Sequence, residues 1–99
     1  MKVRNMTGRA GGPVANQFIL IDHGRGALGN FTERKTFQSY DRIIAIKTTW
    51  EDGTEIKLDK NSWDCSVTTG KYRNQFLGET KKETEKKIKS GEYELVDLN

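Results

Sequence analysis

A stretch of hydroxyl and basic side chains between residues 63 and 77 is the part of the sequence most able to do chemistry. Its three hydroxyl residues, Ser66, Thr68 and Thr69, precede a predicted helix over residues 71–77. The free backbone amides and positive dipole end at the start of a helix favour an anion. Lys71 and Arg73 fall in the predicted first turn, where cations are unfavourable unless a negative group lies nearby. The pattern therefore predicts a site for an anion or an anionic partner.

A purely structural interpretation uses the same residues and stays open at the level of sequence. In this interpretation Thr68 or Thr69 caps the helix and Gly78 ends it. The basic residues then pair with Asp64 or Glu79, and the inward-packing residues are Tyr72, Phe76 and Leu77.

The residues 24–29 spell G-x-G-x-x-G, the dinucleotide-binding fingerprint. That fingerprint works because a helix begins at the glycines and aims its amides at a pyrophosphate. Here another predicted strand follows within a few residues, and 99 residues cannot hold a doubly wound sheet. We therefore interpret residues 23–35 as a polar loop with three glycines.

Catalytic and metal-binding patterns are weak. His23 and Cys65 are the only histidine and the only cysteine, they lie far apart in the sequence, and no local signature surrounds either. A thiol nucleophile needs an imidazole within hydrogen-bond reach. The acidic residues do not alternate as calcium ligands do, and one cysteine cannot build a zinc site. We expect no enzyme activity, no metal and no cofactor.

The elements that must position the candidate site follow from apolar alternation and turn residues. Strands are predicted over residues 15–22, 36–40, 42–50, 54–59 and 93–98, and residues 2–6 could form a short first strand. The run 18–21 is apolar on both faces, which indicates a central strand covered on both sides. Asp52-Gly53 predicts a tight hairpin turn, and Thr80 with Glu83 has the capping-box spacing for a second helix to about Lys89. These elements predict one α+β domain over residues 1–99, with a small antiparallel sheet of about five strands and two short helices near the C-terminus.

Charge and composition permit an anionic partner without demanding one. The net charge is +3, from 17 basic and 14 acidic residues, and the lysines of residues 79–89 are interleaved with acids. A module that binds nucleic acid through this Lys-rich helix is the alternative function. No apolar run approaches the ~20 residues of a membrane span, and no secretion signal opens the chain. We expect a cytoplasmic protein that does not bind membranes.

The sequence also resembles a family of small, uncharacterised proteins of tailed phages. The resemblance covers residues 15–78 and rests on Asn16-Gln17-Phe18, on Phe37-Gln38-Ser39-Tyr40 with Ile44-Ala45, and on the spacing W-x-x-S-x-T-T-x-K-Y-x-x-x-F-L that begins at Trp63. Cys65 stands where the family pattern has an aromatic residue.

The resemblance implies a non-enzymatic phage accessory protein that acts in the cytoplasm of the bacterial host cell. Such a protein would counter host defence by binding a host immune protein or by sequestering a nucleotide-type anionic signal. Hydroxyls and amides would hold the anion, the basic residues would neutralise it, and aromatic rings would stack on a base. A homo-oligomer is compatible with the sequence. The predicted binding residues are Tyr40, Trp63, Ser66, Thr68, Thr69, Lys71, Tyr72 and Arg73.

Overall fold

In the part of the chain that the structure describes, a six-stranded sheet and two helices make up the fold. A computed structural model describes residues 1–24 and 31–99. The two helices, α1 and α2, follow one another between the last two strands. In chain order the elements are β1 (Lys2–Thr7), β2 (Pro13–His23), β3 (Glu33–Ser39), β4 (Arg42–Trp50), β5 (Gly53–Asp59), α1 (Val67–Leu77), α2 (Lys81–Ser90) and β6 (Tyr93–Val96).

The strands lie in the sheet in their order along the chain. Each of β1 to β5 pairs antiparallel with the next, and β6 pairs parallel with β5. The parallel pair arises because α1 and α2 form the crossover between β5 and β6, and a parallel connection needs such a long crossover. The predicted α+β class and the two helices near the C-terminus are confirmed. The sheet has six strands, one more than the expected five.

The β4–β5 hairpin forms as predicted, with its turn one residue earlier than expected. Trp50 pairs with Gly53, so the two turn residues are Glu51 and Asp52, and Gly53 is already part of β5. This register places Leu58 beside Ala45, and both side chains are fully buried. Core packing therefore sets the register, because a shift would move the buried side chains out of line.

The core lies between the helices and one face of the sheet. The ring of Phe37 in β3 stacks on Phe76 in α1, with centroids 5.8 Å apart. On the other side of this face, the Lys87 ammonium of α2 lies 3.5 Å from the Tyr93 hydroxyl of β6. The buried apolar core comprises Met6, Phe37, Ile44, Ala45, Leu58, Tyr72 and Tyr93.

The expectation that residues 18–21 form a central strand covered on both sides is wrong. β2 is the second strand of the sheet, beside the edge strand β1, and its four apolar residues are only half-buried. The reason is that both helices pack on the face that carries Phe37 and Tyr93. Alternate residues of a strand point to opposite faces, so half of this apolar run has no helix above it.

The predicted loop over residues 23–35 is shorter in the structure. β2 extends to His23 and β3 begins at Glu33, and these two residues pair across the strands. Within the G-x-G-x-x-G motif only Gly24 is described; the rest of the motif, and with it the interpretation as a glycine loop, lies outside the described residues.

The second helix follows its predicted boundaries. Thr80 caps α2 in a full capping box with Glu83, and Gly91 ends the helix in the left-handed conformation with φ 84°. Of the helices in the described part of the chain, neither is long and apolar enough to cross a membrane.

Candidate functional site

Ser66 is the N-cap of α1, and the helix begins four residues earlier than predicted. The Ser66 side chain accepts a hydrogen bond from the backbone N–H of Thr69 at 3.1 Å. The expected caps, Thr68 and Thr69, lie inside the first turn instead. Lys71 and Arg73 consequently lie in the second turn, so the predicted conflict between their charge and the helix dipole is wrong. The dipole effect falls off within the first turn.

Thr69 joins the start of α1 to the sheet. Its hydroxyl lies 3.1 Å from the hydroxyl of Ser39 at the end of β3 and 3.1 Å from that of Ser66. The Cys65 thiol approaches the same oxygen at 3.7 Å. Thr69 and Ser39 are both buried. A buried hydroxyl needs such partners, so this cluster holds the beginning of α1 against β3.

Arg73 is a buried cation whose contacts are made within the protein. Its guanidinium donates to the Trp63 carbonyl at 2.6 Å, to Asp64 at 3.3 Å and to the Asn74 side chain at 3.0 Å. It also lies over the Trp63 ring, 5.2 Å from the centroid. A Cβ atom at Gly70 would lie 3.6 Å from the guanidinium, an ordinary van der Waals contact. The Nε atom has no hydrogen-bond partner among the described residues.

Asp64 links the start of α1 to the start of α2. Its carboxylate lies 2.7 Å from the ammonium of Lys81 and 3.3 Å from Arg73. The hydrogen bond from Lys81, helped by that from Arg73, holds the pKa of Asp64 below its usual range although burial opposes this. Asp64 is therefore a carboxylate anchored between two cations.

An open groove of about 770 Å³ lies over these residues, and we call it the α1 groove. Three cationic side chains and one carboxylate reach it, and the first turn of α1 contains no acidic residue. The backbone amides at the helix start add further positive potential. The groove is thus a net cationic surface. Its lining residues are Asp64, Cys65, Ser66, Val67, Gly70, Lys71, Arg73, Asn74 and Lys81.

The structure brings some of the eight predicted residues together and separates others. Ser66, Lys71 and Arg73 line the α1 groove. Trp63 is half-buried and lines a neighbouring groove of about 340 Å³ with Ile88. Tyr72 is buried in the core, so it offers no free ring for a ligand. Thr69 is buried too, and Thr68 is exposed at the start of α1.

Tyr40 lies at the turn between β3 and β4, directly after Ser39. Its side chain is 58% exposed, and its backbone has φ 55°, in the left-handed region. Its N–H donates to the carbonyl of Asn16 at 2.7 Å, and Asn16 also has a positive φ of 63°. Two non-glycine residues with left-handed backbone thus sit together at this end of the sheet.

Sequence reasoning did not assign Gly70, Asn74 or Lys81 to the site. Gly70 lies in α1 beside the Arg73 guanidinium. Lys81 belongs to the second helix. Its position directly after the Thr80 cap was the one sequence signal that could have pointed to it. Its approach to Asp64 depends on how α1 and α2 are arranged.

Part of the positive charge of the Lys-rich helix α2 is paired with a carboxylate within the protein. Lys87 lies 2.9 Å from the buried carboxylate of Glu79, which also accepts from Tyr93 and Thr84 at 2.6 Å each. Burial raises the pKa of Glu79, but these three hydrogen bonds outweigh it and hold the pKa below its usual value. Burial and the Glu79 charge raise the pKa of Tyr93 to about 12. This cluster pins α2 to β6.

His23 and Cys65 lie at different ends of the sheet. His23 ends β2, while Gln17 of the same strand pairs with Ser39, which the Thr69 hydroxyl connects to Cys65. Six residues of strand correspond to about 20 Å. The two side chains are therefore too far apart to form a nucleophile and base. In residues 1–24 and 31–99, no three His, Cys, Asp or Glu side chains are grouped as metal ligands would be.

Comparison with known proteins gives a family and no function. No curated protein and no solved structure matches the chain. Residues 1–92 match a family of unknown function (DUF8033). Because the match spans nearly the whole chain, this protein belongs to the family of unknown function DUF8033.

Proposed function

We propose that this protein is a non-enzymatic binding protein that sequesters a nucleotide-type anion in the α1 groove. The observation that carries the proposal is the lining of that groove: three cationic side chains, one carboxylate and a first helical turn without an acidic residue. Its volume of about 770 Å³ is within the range of small-molecule sites.

The charges of the groove are arranged for a phosphate group. Ser66 satisfies the amide of Thr69, while the amides of Val67 and Thr68 have no acceptor within the helix. Such amides bind phosphate groups at helix starts. Lys71 is exposed and its ammonium lies 5.4 Å from the Tyr72 ring, so it is free to turn towards a ligand. Arg73 positions Asp64 and Trp63 and supplies fixed positive charge beneath the groove.

The neighbouring groove provides a place for a base. It is lined by Trp63 and Ile88 and shares Asp64 and Lys81 with the α1 groove. An aromatic ring next to a cationic groove suits a ligand that joins a flat ring to a phosphate. A nucleotide has this combination, with its phosphate at the start of α1 and its base against Trp63.

The positions of the reactive residues support a binding role without chemistry. His23 and Cys65 lie about 20 Å apart along the sheet. Cys65 lines the α1 groove but contacts a threonine hydroxyl rather than a base. We therefore propose that the ligand is held and not converted.

The cellular role that we propose comes from the resemblance to small proteins of tailed phages. A protein that withdraws a nucleotide signal would blunt a bacterial defence that depends on it. Binding of a host immune protein by the same surface is the other form of this role. In both cases the protein acts inside the bacterial host cell.

Isothermal titration calorimetry with ATP, AMP and cyclic di-AMP tests the nucleotide proposal. We expect binding of at least one probe, weakened by roughly 1.5–3 kcal/mol in Lys71→Ala, the range for hydrogen bonds to charged groups. Lys82→Ala is the matched control, because Lys82 is exposed, carries the same charge and lies outside the α1 groove. Equal loss in both variants would show an effect of net charge alone.

A phage-plating assay connects binding to the proposed role. A phage that expresses the protein should plate better on a defended host, and Lys71→Ala should reduce this gain while Lys82→Ala keeps it. Retained protection by a protein that binds none of the nucleotides would reject sequestration and favour a host immune protein as the partner.

The alternative, nucleic-acid binding through α2, has less support. Lys81 pairs with Asp64 and Lys87 pairs with Glu79, so two lysines of the helix are engaged. Binding of this kind must weaken steeply as salt is raised, because counterions are released. Affinity for duplex DNA that is insensitive to salt and to Lys82→Gln with Lys86→Gln would eliminate this alternative.

A further inference from the structure

A second groove lies on the helix-bearing face of the sheet, and we call it the sheet groove. Its volume is about 240 Å³, and it shares no lining residue with the α1 groove. Residues of four strands and one helix form it. They are Arg4, Met6, Ile19, Lys35, Lys47, Gln75 and Phe76.

All of the charged residues that line the sheet groove are cations. Lys35 of β3 and Lys47 of β4 pair directly across the two strands. Arg4 of β1 pairs with Ile19, one pair further along the same face. Carboxylates lie near both lysines: a Glu33 oxygen is 3.8 Å from the Lys35 ammonium, and Lys47 also lines a neighbouring groove with Glu79 and Glu92. None of these three carboxylates lines the sheet groove itself.

This arrangement is unfavourable for an isolated protein. Side chains of directly paired residues lie close together, and like charges in that position destabilise a sheet. The strand register puts Lys35 and Lys47 in that position. Both lysines line the groove together with the apolar side chains Ile19 and Phe76. An anion between the cations removes the repulsion.

We propose that the sheet groove binds a phosphoryl group. The groove is too small for a whole nucleotide, and it places three cations around one small space. A doubly charged oxyanion matches that charge, and the Gln75 amide, 3.4 Å from the Thr7 hydroxyl, is a further donor at the rim. The phosphoryl group comes from a free phosphate compound or from the backbone of a single-stranded nucleic acid. This site is independent of the α1 groove.

An NMR titration separates the two grooves. Inorganic pyrophosphate and a short oligothymidylate are the probes, and the backbone amides of Lys35 and Lys47 report the sheet groove while those of Val67 and Thr68 report the α1 groove. We expect Lys35→Gln and Lys47→Gln each to weaken the response at the sheet groove at least about tenfold. Lys71→Ala should leave that response unchanged.

Lys57→Gln is the matched control, because Lys57 lies on β5 on the opposite face and contacts Glu55 at 3.6 Å. It should change the affinity less than about twofold, since it removes a charge that does not reach the groove. Without ligand, the melting temperature of Lys47→Gln should equal or exceed that of the wild type, because the cross-strand repulsion is relieved.

The source of the phosphoryl group follows from the two probes. A response to pyrophosphate identifies a free phosphate compound as sufficient, and a response to the oligonucleotide alone identifies a nucleic-acid backbone. The proposal is overturned if neither probe shifts the amides of Lys35 and Lys47. It is also overturned if Lys57→Gln weakens the response as much as Lys47→Gln.

Discussion

Replacing Arg73 with alanine tests whether this residue is part of the scaffold. Its side chain is 1% exposed and donates to the Trp63 carbonyl at 2.6 Å, to Asp64 and to Asn74. The Arg73→Ala variant removes all three bonds and the contact with the Trp63 ring. Because the start of α1 and the α1 groove both depend on these contacts, the variant should be strongly destabilised.

The expected loss of folding free energy in Arg73→Ala follows from the bonds that each partner of Arg73 loses. The Trp63 carbonyl loses a bond to a charged donor, which costs about 1.5–3 kcal/mol. Asp64 keeps its ion pair with Lys81 at 2.7 Å, and its side chain is 34% exposed. Losing the Arg73 contact at Asp64 therefore costs less than the 3–5 kcal/mol of breaking a fully buried ion pair. Together with the lost packing of the side-chain stem, we expect about 3 kcal/mol. For a domain of this size that corresponds to a fall of about 12–24 °C in melting temperature.

Thermal and urea unfolding, followed by circular dichroism, measures this loss. Lys71→Ala is the internal control, because Lys71 is exposed and belongs to the same helix; its effect should stay within about 0.5 kcal/mol. Arg73→Lys should lie between the two, since lysine keeps the charge and loses the planar fork. A loss below about 1 kcal/mol in Arg73→Ala, or an equal loss in Lys71→Ala, would refute the reasoning.

Three further predictions concern pH, the helix cap and catalysis. The pKa of Glu79 lies below its ordinary value of 4.5 and that of Tyr93 rises from 10.0 to about 12. Stability measured by urea unfolding should therefore fall as the pH drops below about 4.5, and again as it rises from about 10 through 12. Tyr93→Phe should reduce the alkaline fall, and the part that remains comes from Lys87, whose pKa the hydrogen bond to Glu79 raises above its usual range. Ser66→Ala should cost about 1 kcal/mol in the same assay, because it removes the N-cap of α1. His23→Ala and Cys65→Ser should keep full anti-defence activity in plating assays, and a loss with the fold retained by circular dichroism would point to an enzyme.

Local sequence signals predicted most of the secondary structure. The spacing of Thr80 and Glu83 located the start of α2, and Gly91 its end. Apolar alternation located the strands, because a half-buried strand must alternate. The start of α1 was misplaced since three hydroxyl residues in a row can each cap a helix. Ser66 does so because Thr69 uses its hydroxyl to contact Ser39 on the sheet.

The candidate site was only partly predictable. Its position at the start of α1 came from residue types alone, and Ser66, Lys71 and Arg73 do line one groove. Residue types did not predict which of these side chains are exposed and which are buried. Tyr72 and Arg73 are the two residues that follow exposed Lys71 in the sequence, and both are buried. No local pattern distinguishes a solvated arginine from one that is buried against a carbonyl and a carboxylate.

By itself, the sequence determined the elements, the α+β class and the segment of the chain that carries the hydroxyl and basic groups. These properties depend on residues within a few positions of one another. The tertiary structure alone decided that Lys81 meets Asp64 and that Lys35 faces Lys47. Such contacts depend on strand register and helix arrangement, which are set by the burial of distant apolar residues such as Phe37 and Leu58. Charges that look evenly mixed along the chain are thereby gathered into two cationic grooves.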